Sequence, residues 1–295
     1  GSVFSDAKSV DDLIVIISSA IKPRAVAAFG VQKVEGVSLQ KTRRTANDAA
    51  VSLLNSLPAT INGNDLTDEQ RAVLAAYTGE GGLQGEGGSQ YEYYTPQFMA
   101  EGIWDLMSAY GAGAGHVLEP SAGTGIFQEV KPKSAVMTSA ELSGISGQIN
   151  KLLHPEDDVH VGAFESLAAG TPDGVYDHAV GNVPFGKGRS GVAGLDPVYE
   201  SENNVGDYFV LRTIDKVKPG GMVVLVVPHG MTDGANNKKL RDKVSRKAEF
   251  LGAHRMPSGT FAESGTATVV DVWVLRKHTE ALKDIVDESA DKVLK

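Results

Sequence analysis

Residues 178–188 read HAVGNVPFGKG, and the turn inside this stretch decides how the chain is read. An apolar run over residues 176–181 meets Asn182, Val183, Pro184 and Phe185, with Gly181 before them and Gly186 after. Asn and Pro break strands, so the run ends by presenting an amide, a proline and a large aromatic to whatever lies beyond. Toward the amino terminus, apolar runs recur at residues 159–162, 135–141 and 116–119; toward the carboxyl terminus, at 222–228, 250–256 and 268–276. Helical patterns at residues 96–110, 144–153 and 207–217 fall between them. Apolar strands alternating with helices predict an α/β fold built on a seven-stranded, mostly parallel, Rossmann-like sheet. The last two runs are joined by a loop alone, which predicts a late antiparallel hairpin.

The organisation changes near residue 90. Before it, helices are expected at residues 7–21 and 45–57, and Thr67-Asp68-Glu69-Gln70 opens a third with a capping box. A glycine-rich loop spans residues 79–89. The expected division is a helical N-terminal extension (1–90), the sheet domain (91–278) and a charged helical tail (279–295). The formal net charge of -9 excludes a protein that is basic all over, so any nucleic-acid contact needs a local patch. Candidates are Lys41-Thr42-Arg43-Arg44, residues 238–247, and the loop carrying Lys187 and Arg189, which could touch phosphate; each also reads as a solvated face or loop. There is no cysteine, which excludes disulfide and thiolate chemistry and fits a reducing compartment. Residues 13–21 are too short to cross a bilayer and follow Asp11 and Asp12, the wrong flank for a signal peptide. Gly1-Ser2 reads as a cleavage scar on a piece of something longer. The seven histidines show no metal spacing, and no metal is expected.

The first strand runs into Val117-Leu118-Glu119-Pro120-Ser121-Ala122-Gly123-Thr124-Gly125. Gly123 and Gly125 permit a tight turn and close approach of a ligand to the backbone, at the strand end where open α/β sheets bind ligands. The turn is neither a Walker A loop nor G-x-G-x-x-G. The next strand ends in Glu141, about 20 residues on, where a carboxylate can hold a ribose diol. A nucleoside-bearing cofactor is implied; the plain alternative for Glu141 is a helix N-terminal acid favoured by the dipole.

With that turn two strands earlier, Asn182-Val183-Pro184-Phe185 resembles the Asn/Asp-Pro-Pro-Tyr/Phe signature of class I S-adenosylmethionine-dependent amino methyltransferases, with Val183 departing from the Pro-Pro form. Tyr93-Tyr94-Thr95-Pro96 resembles the segment before the glycine turn in N6-adenine DNA methyltransferases, and the motif order is their gamma arrangement. Leu66-Thr67-Asp68-Glu69-Gln70, Tyr77-Thr78-Gly79-Glu80-Gly81-Gly82-Leu83 and Asp207-Tyr208-Phe209 extend the likeness to a particular group. These are the methyltransferase parts of large phage and mobile-element proteins that also carry a helicase, including DarB-type antirestriction proteins. The group has Trp where Glu80 stands, and an acid where Ala163 stands.

The resemblance implies a methyltransferase sheet and S-adenosylmethionine as cofactor. It implies cofactor-binding roles for Tyr94, Thr95, Glu119, Ser121, Gly123, Gly125, Glu141, Phe164 and Asn182, with Phe164 beside the adenine ring and Glu165 on its amino group. Asn182, Pro184 and Phe185 are the implied catalytic residues: two acceptors for the amino group and a ring that stacks on the base. Asp207 and Tyr208 would support the base pocket or belong to the core. The expected substrate is adenine in DNA, single-stranded or extruded from duplex, and the expected partners are helicase or other domains of a longer parent protein. The chemistry equally suits RNA adenine or a protein glutamine, and a non-catalytic nucleic-acid-binding module would keep the same fold. No segment resembles a large target-recognition domain, which implies weak sequence specificity or a missing part. The expected location is the cytoplasm of a bacterial host or the virion, with no membrane association.

Overall fold

The computed structural model describes residues 39–79, 94–186, 188–261 and 268–279. They form α1 (Leu39–Ser56), α2 (Asp68–Ala75), α3 (Gln97–Ala109), β1 (Gly115–Glu119), α4 (Ile126–Glu129), β2 (Ala135–Glu141), α5 (Gly144–Leu153) and β3 (Asp158–Val161). Then follow α6 (Phe164–Gly170), β4 (His178–Asn182), α7 (Val205–Lys216), β5 (Met222–Pro228), α8 (Gly230–Asp233), α9 (Lys238–Ser245), β6 (Ala248–Arg255) and β7 (Val270–Lys277). The helix expected at 7–21, the glycine-rich loop beyond Gly79, Tyr93, Lys187 and the tail from Glu280 lie outside the described residues.

The strands form one sheet in the order β3-β2-β1-β4-β5-β7-β6. The first five are parallel, and β7 runs antiparallel to both of its neighbours. This is the mostly parallel, Rossmann-like methyltransferase sheet with a late hairpin. Both faces are covered, so the central strands read as unbroken apolar runs. Along β5, Met222, Val224 and Val226 pack with α3 and α4, while Val223, Leu225 and Val227 pack with α6, α7 and α9. The Trp104 indole N–H donates to the Phe127 carbonyl at 2.8 Å, fastening α3 to α4.

Strand order reverses between β1 and β4. The helix after β1, α4, joins the core on one face through Ile126 and Phe127, whereas α7, after β4, joins the other through Tyr208, Val210, Leu211 and Ile214. The two connections therefore leave in opposite directions and open a crevice at the carboxyl ends of β1 and β4.

Helices α1 and α2 precede the sheet and pack on α5: Ala50, Leu74 and Tyr77 share a cluster with Ile149 and Leu153. The capping box is present, with Thr67 Oγ1 accepting from Gln70 N–H and Gln70 Oε1 from Thr67 N–H. Among the described residues, helix α1 already includes Leu39, ahead of the expected start at residue 45. The reason is that Arg43 and Asn47, one turn apart, are buried and bind the backbone at Thr78 and Gly79. Arg43, expected on a solvated basic face, is thus part of the packing. Similarly, β4 reaches Asn182 because Asn182 pairs with Val226 of β5. No described helix is long and apolar enough to cross a membrane.

Gly63 lies between α1 and α2, against the end of α5. A Cβ there would overlap the Leu152 carbonyl oxygen, and Arg71 bonds both Leu153 O and Gly63 O at 2.9 Å. Gly63→Ala is expected to cost about 1–3 kcal/mol, because a backbone neighbour cannot swing away. Denaturant unfolding of both proteins checks this; equal midpoints would show that the contact is not tight.

Candidate active site

The crevice is lined first by the turn after β1. Gly123 and Gly125 have φ values of 55° and 92°, in the left-handed region that favours glycine. A Cβ on Gly123 would lie 2.9 Å from the Tyr94 ring, and one on Gly125 2.6 Å from His154 Nε2 and 2.9 Å from Asn150 Oδ1. The turn is therefore gripped by Tyr94 on one side and by α5 on the other. The Tyr94 hydroxyl and Ser146 Oγ are 2.7 Å apart, which ties Tyr94 to α5 as well. Thr95 is buried just before α3.

Two acids flank the turn. Glu141, at the end of β2, accepts the Gly123 N–H at one carboxylate oxygen and the Ser143 N–H at the other, both at 2.8 Å. One side chain thus shapes the turn and opens α5. Glu119, at the end of β1, is 1% exposed, and its Oε2 has no hydrogen-bond partner among the described residues. Burial, with Glu141 and Asp157 adding repulsion, pushes its carboxyl well above the ordinary range.

The motif after β4 joins this turn directly. Ser121 Oγ donates to the Asn182 carbonyl at 2.5 Å. Val183 is buried, and its N–H donates to Val226 O at 3.1 Å, extending the pairing with β5 past the strand end. A proline at 183 has no such donor, so the departure from Pro-Pro adds a bond that the doubled proline lacks. Asn182, Pro184 and Phe185 are partly buried, and Phe185 packs against the cores of both sheet faces. A Cβ on Gly206 would lie 3.7 Å from the Pro184 carbonyl, so the start of α7 abuts the motif. There Asp207 is pushed up to about 6, first by burial and then by Glu202, with Lys243 opposing.

Three expectations need correction. Glu165 does not face a ligand: it is 2% exposed and pairs with Arg189 Nε at 2.9 Å. Arg189, expected on a loop open to phosphate, is 4% exposed and also donates to the carbonyls of Tyr199 and Glu202. Its charge is neutralised inside, where phosphate does not reach. Phe164 is 2% exposed, with its ring 5.1 Å from Phe209 and 6.0 Å from Tyr208. It is a core side chain, so no open face of its ring flanks a ligand here. Tyr208 is likewise core, its hydroxyl donating to Asp196. Three of the six basic residues at 238–247 pair with acids: Lys238 with Asp242, Lys243 with Glu202 and Lys247 with Asp215.

Residues 81–294 match the family model described as N-6 DNA Methylase. The chain belongs to that family. Over 270 residues, 92% of this chain, it is 54% identical to Defense against restriction protein B of Escherichia phage P1, and it spans 12% of that protein's length. Its fold resembles the type I restriction-modification methyltransferase subunit from Streptococcus thermophilus (TM-score 0.56, 15% identity, covering 94% of this chain and 72% of that one). It also resembles the type I restriction enzyme EcoKI M protein (TM-score 0.51, 17% identity, 83% and 64%). At these identities the structural likeness concerns the fold alone.

A class I methyltransferase fold implies S-adenosylmethionine, and the crevice of this N6-methylase-family chain fits it. The molecule carries an amino-acid ammonium at one end, adenine at the other and a ribose diol between them. The crevice offers a buried Glu119 oxygen lacking a partner, a left-handed glycine turn with no room for a Cβ, and the Glu141 carboxylate.

Sequence reasoning missed the side chains beneath the turn. Asn150 Nδ2 donates to Gln128 Oε1 at 2.8 Å, and His154, 2% exposed, lies beside the Gly125 turn. The available signal is polar residues on the buried stripe of an amphipathic helix, since Asn150 sits beside Ile149 and Leu153 on the inner face of α5. Burial pulls His154 down to about 4 from 6.5. The fold holds the neutral ring, so below pH 6.5 the unfolded chain takes up the proton first and stability falls as pH drops toward 4. The shift corresponds to a loss on the order of 3 kcal/mol. Unfolding free energies of the parent and His154→Gln at about pH 7 and about pH 4.5 test this. The variant should show the shallower decline, and parallel declines would remove His154 as the cause.

Proposed function

We propose that the chain transfers a methyl group from S-adenosylmethionine to the N6 amino group of adenine in DNA. In this reading it is one part of a larger phage or mobile-element protein that protects DNA from restriction. The observation that carries the proposal is the Ser121–Asn182 bond of 2.5 Å, which joins the Asn182-Val183-Pro184-Phe185 motif to the acid-flanked glycine turn. Cofactor and target sites so coupled fit transfer between two bound molecules. Membership of the N-6 DNA Methylase family supports adenine N6 as the acceptor. The relative's name, Defense against restriction protein B, supports the protective role.

Glu119 would take the cofactor's ammonium, Glu141 its ribose hydroxyls, and Gly123 and Gly125 its close approach, with Tyr94, Thr95 and Ser121 around them. When bound, S-adenosylmethionine supplies an electrophilic methyl group on a sulfonium sulfur. The adenine amino nitrogen is a poor nucleophile because its lone pair is delocalised into the ring. The Asn182 side-chain oxygen and the Pro184 carbonyl accept its two N–H bonds, which favours a pyramidal nitrogen and directs the lone pair. Phe185 stacks on the base. Catalysis would then be orientation and electrostatics: the nitrogen–methyl bond would form as the sulfonium–methyl bond breaks, leaving a neutral thioether, and the surplus N6 proton would pass to solvent afterwards, so no strong base is needed before transfer.

The decisive experiment incubates the protein with cofactor and DNA, RNA or protein, then analyses digested products by mass spectrometry. N6-methyladenine from DNA is expected; methylation confined to RNA or to glutamine would overturn the substrate. Asn182→Ala should lose turnover roughly hundredfold or more at nearly unchanged cofactor affinity, since the lost bond orients the nucleophile. A parent-like rate would eliminate Asn182 as the orienting acceptor. For Glu141 the informative change is Glu141→Gln. Alanine would also release the Gly123 and Ser143 amides, whereas glutamine keeps one acceptor in place. Calorimetry should show cofactor binding weakened about tenfold, and undiminished affinity would refute the ribose role.

A further inference from the structure

We infer that Arg189 is a positioning residue: it locks the loop that follows the Asn182 motif and thereby holds that motif in register with the cofactor crevice. The inference rests on the function proposed above.

The sequence around Arg189 supplies no stiffness of its own. Gly186, Gly188 and Gly191 bracket it, and the last two have φ values of 85° and 84°. Order in this loop must come from what its side chains bind. Arg189 reaches across to the first turn of α6, where its Nε meets Glu165 Oε1 at 2.9 Å with both side chains almost fully buried. Its Nη1 donates to the carbonyls of Tyr199 and Glu202, both at 2.8 Å, so the far end of the same loop is held by the same side chain. The guanidinium lies 3.5 Å above the centre of the Tyr208 ring. Tyr208 closes the frame: its hydroxyl donates to Asp196 Oδ2 at 2.8 Å, and Arg212 Nε reaches the same oxygen at 2.6 Å. The loop is thereby bound near its start by Arg189, in its middle by Asp196 and near its end through Tyr199 and Glu202.

The anchors stand on two helices. Glu165 lies in the first turn of α6, the helix that follows β3. Tyr208 stands on α7, whose start abuts the Pro184 carbonyl. Phe185 is the last side chain of the motif before the glycines that lead to Arg189. A buried ion pair is a poor device for stability, because desolvation offsets its attraction. A planar fork that serves one carboxylate, two carbonyls and one ring face does something different: it selects a single loop path. Lysine has the charge but not the fork. Nothing in the local sequence pattern announces this role, since an arginine among glycines reads as a solvated loop.

The test uses the whole chain with Arg189→Lys and Glu165→Gln. Three measurements are made: amide hydrogen exchange at Phe185, Gly186, Tyr199 and Glu202 without cofactor, cofactor affinity by calorimetry, and single-turnover methylation of an adenine-containing oligodeoxynucleotide. Expected are faster exchange at those amides, a rate at saturating cofactor lower by roughly ten- to hundredfold, and an affinity within about twofold of the parent. Folded variants with parent-like exchange or a parent-like rate overturn the inference. So does weakened cofactor affinity with an intact rate, which would assign the pair to the cofactor side. If Arg189→Lys does not fold, Glu165→Gln, which keeps the shape and drops the charge, carries the test. A parent protein that methylates nothing defeats the proposed function, and the exchange data still decide whether Arg189 orders the loop.

Discussion

The rest of the site depends on one constraint, the reversal of strand order between β1 and β4. Parallel neighbours whose following helices pack on opposite faces cannot close over their own strand ends. The gap must be lined by the turns that leave those strands, so the glycine turn and the Asn182 motif become neighbours although far apart in the chain. The Ser121–Asn182 bond is the local expression of that topology. A sheet wound in one direction would have buried both turns under helices and left no crevice.

Within the crevice, backbone conformation and charge are coupled. Glu141 would be a passive acceptor if it merely awaited a ligand. Instead it accepts the Gly123 and Ser143 amides and so shapes the surface against which a ligand would lie. Gly125, with φ 92°, is backed by His154 and Asn150, which leave no room for a Cβ. The site is preorganised by groups that a catalogue of ligand contacts would omit.

Charges on the other side of the sheet show the same economy of shape. Glu165, Arg189, Asp196 and Arg212 are almost fully buried, and each is paired. Such pairs contribute little net stability relative to apolar packing of equal volume. They do have direction, which apolar packing lacks. The paired charges and the Tyr208 hub together attach a glycine-interrupted loop to two helices.

Much of this architecture was legible in the sequence because it is set by local periodicity. Apolar runs mark strands buried on both faces, and β1, β2, β4 and β5 fell within two residues of their expected ends. The capping box at Thr67 was legible because both partners lie within one turn. The turn glycines, the acids ending β1 and β2 and the Asn182 motif were legible because strand ends are where α/β sheets expose chemistry. What the tertiary structure alone decided is which charges face water. Arg43 and Arg189 read as surface groups and Glu165 as a ligand contact, and all three are buried by partners distant in sequence: Thr78 and Gly79 for Arg43, and each other for Glu165 and Arg189. Phe164 read as a ligand wall and became core because Tyr208 and Phe209 arrive from α7. A sequence encodes a side chain's chemistry and its local spacing, whereas desolvation depends on what the rest of the chain brings against it.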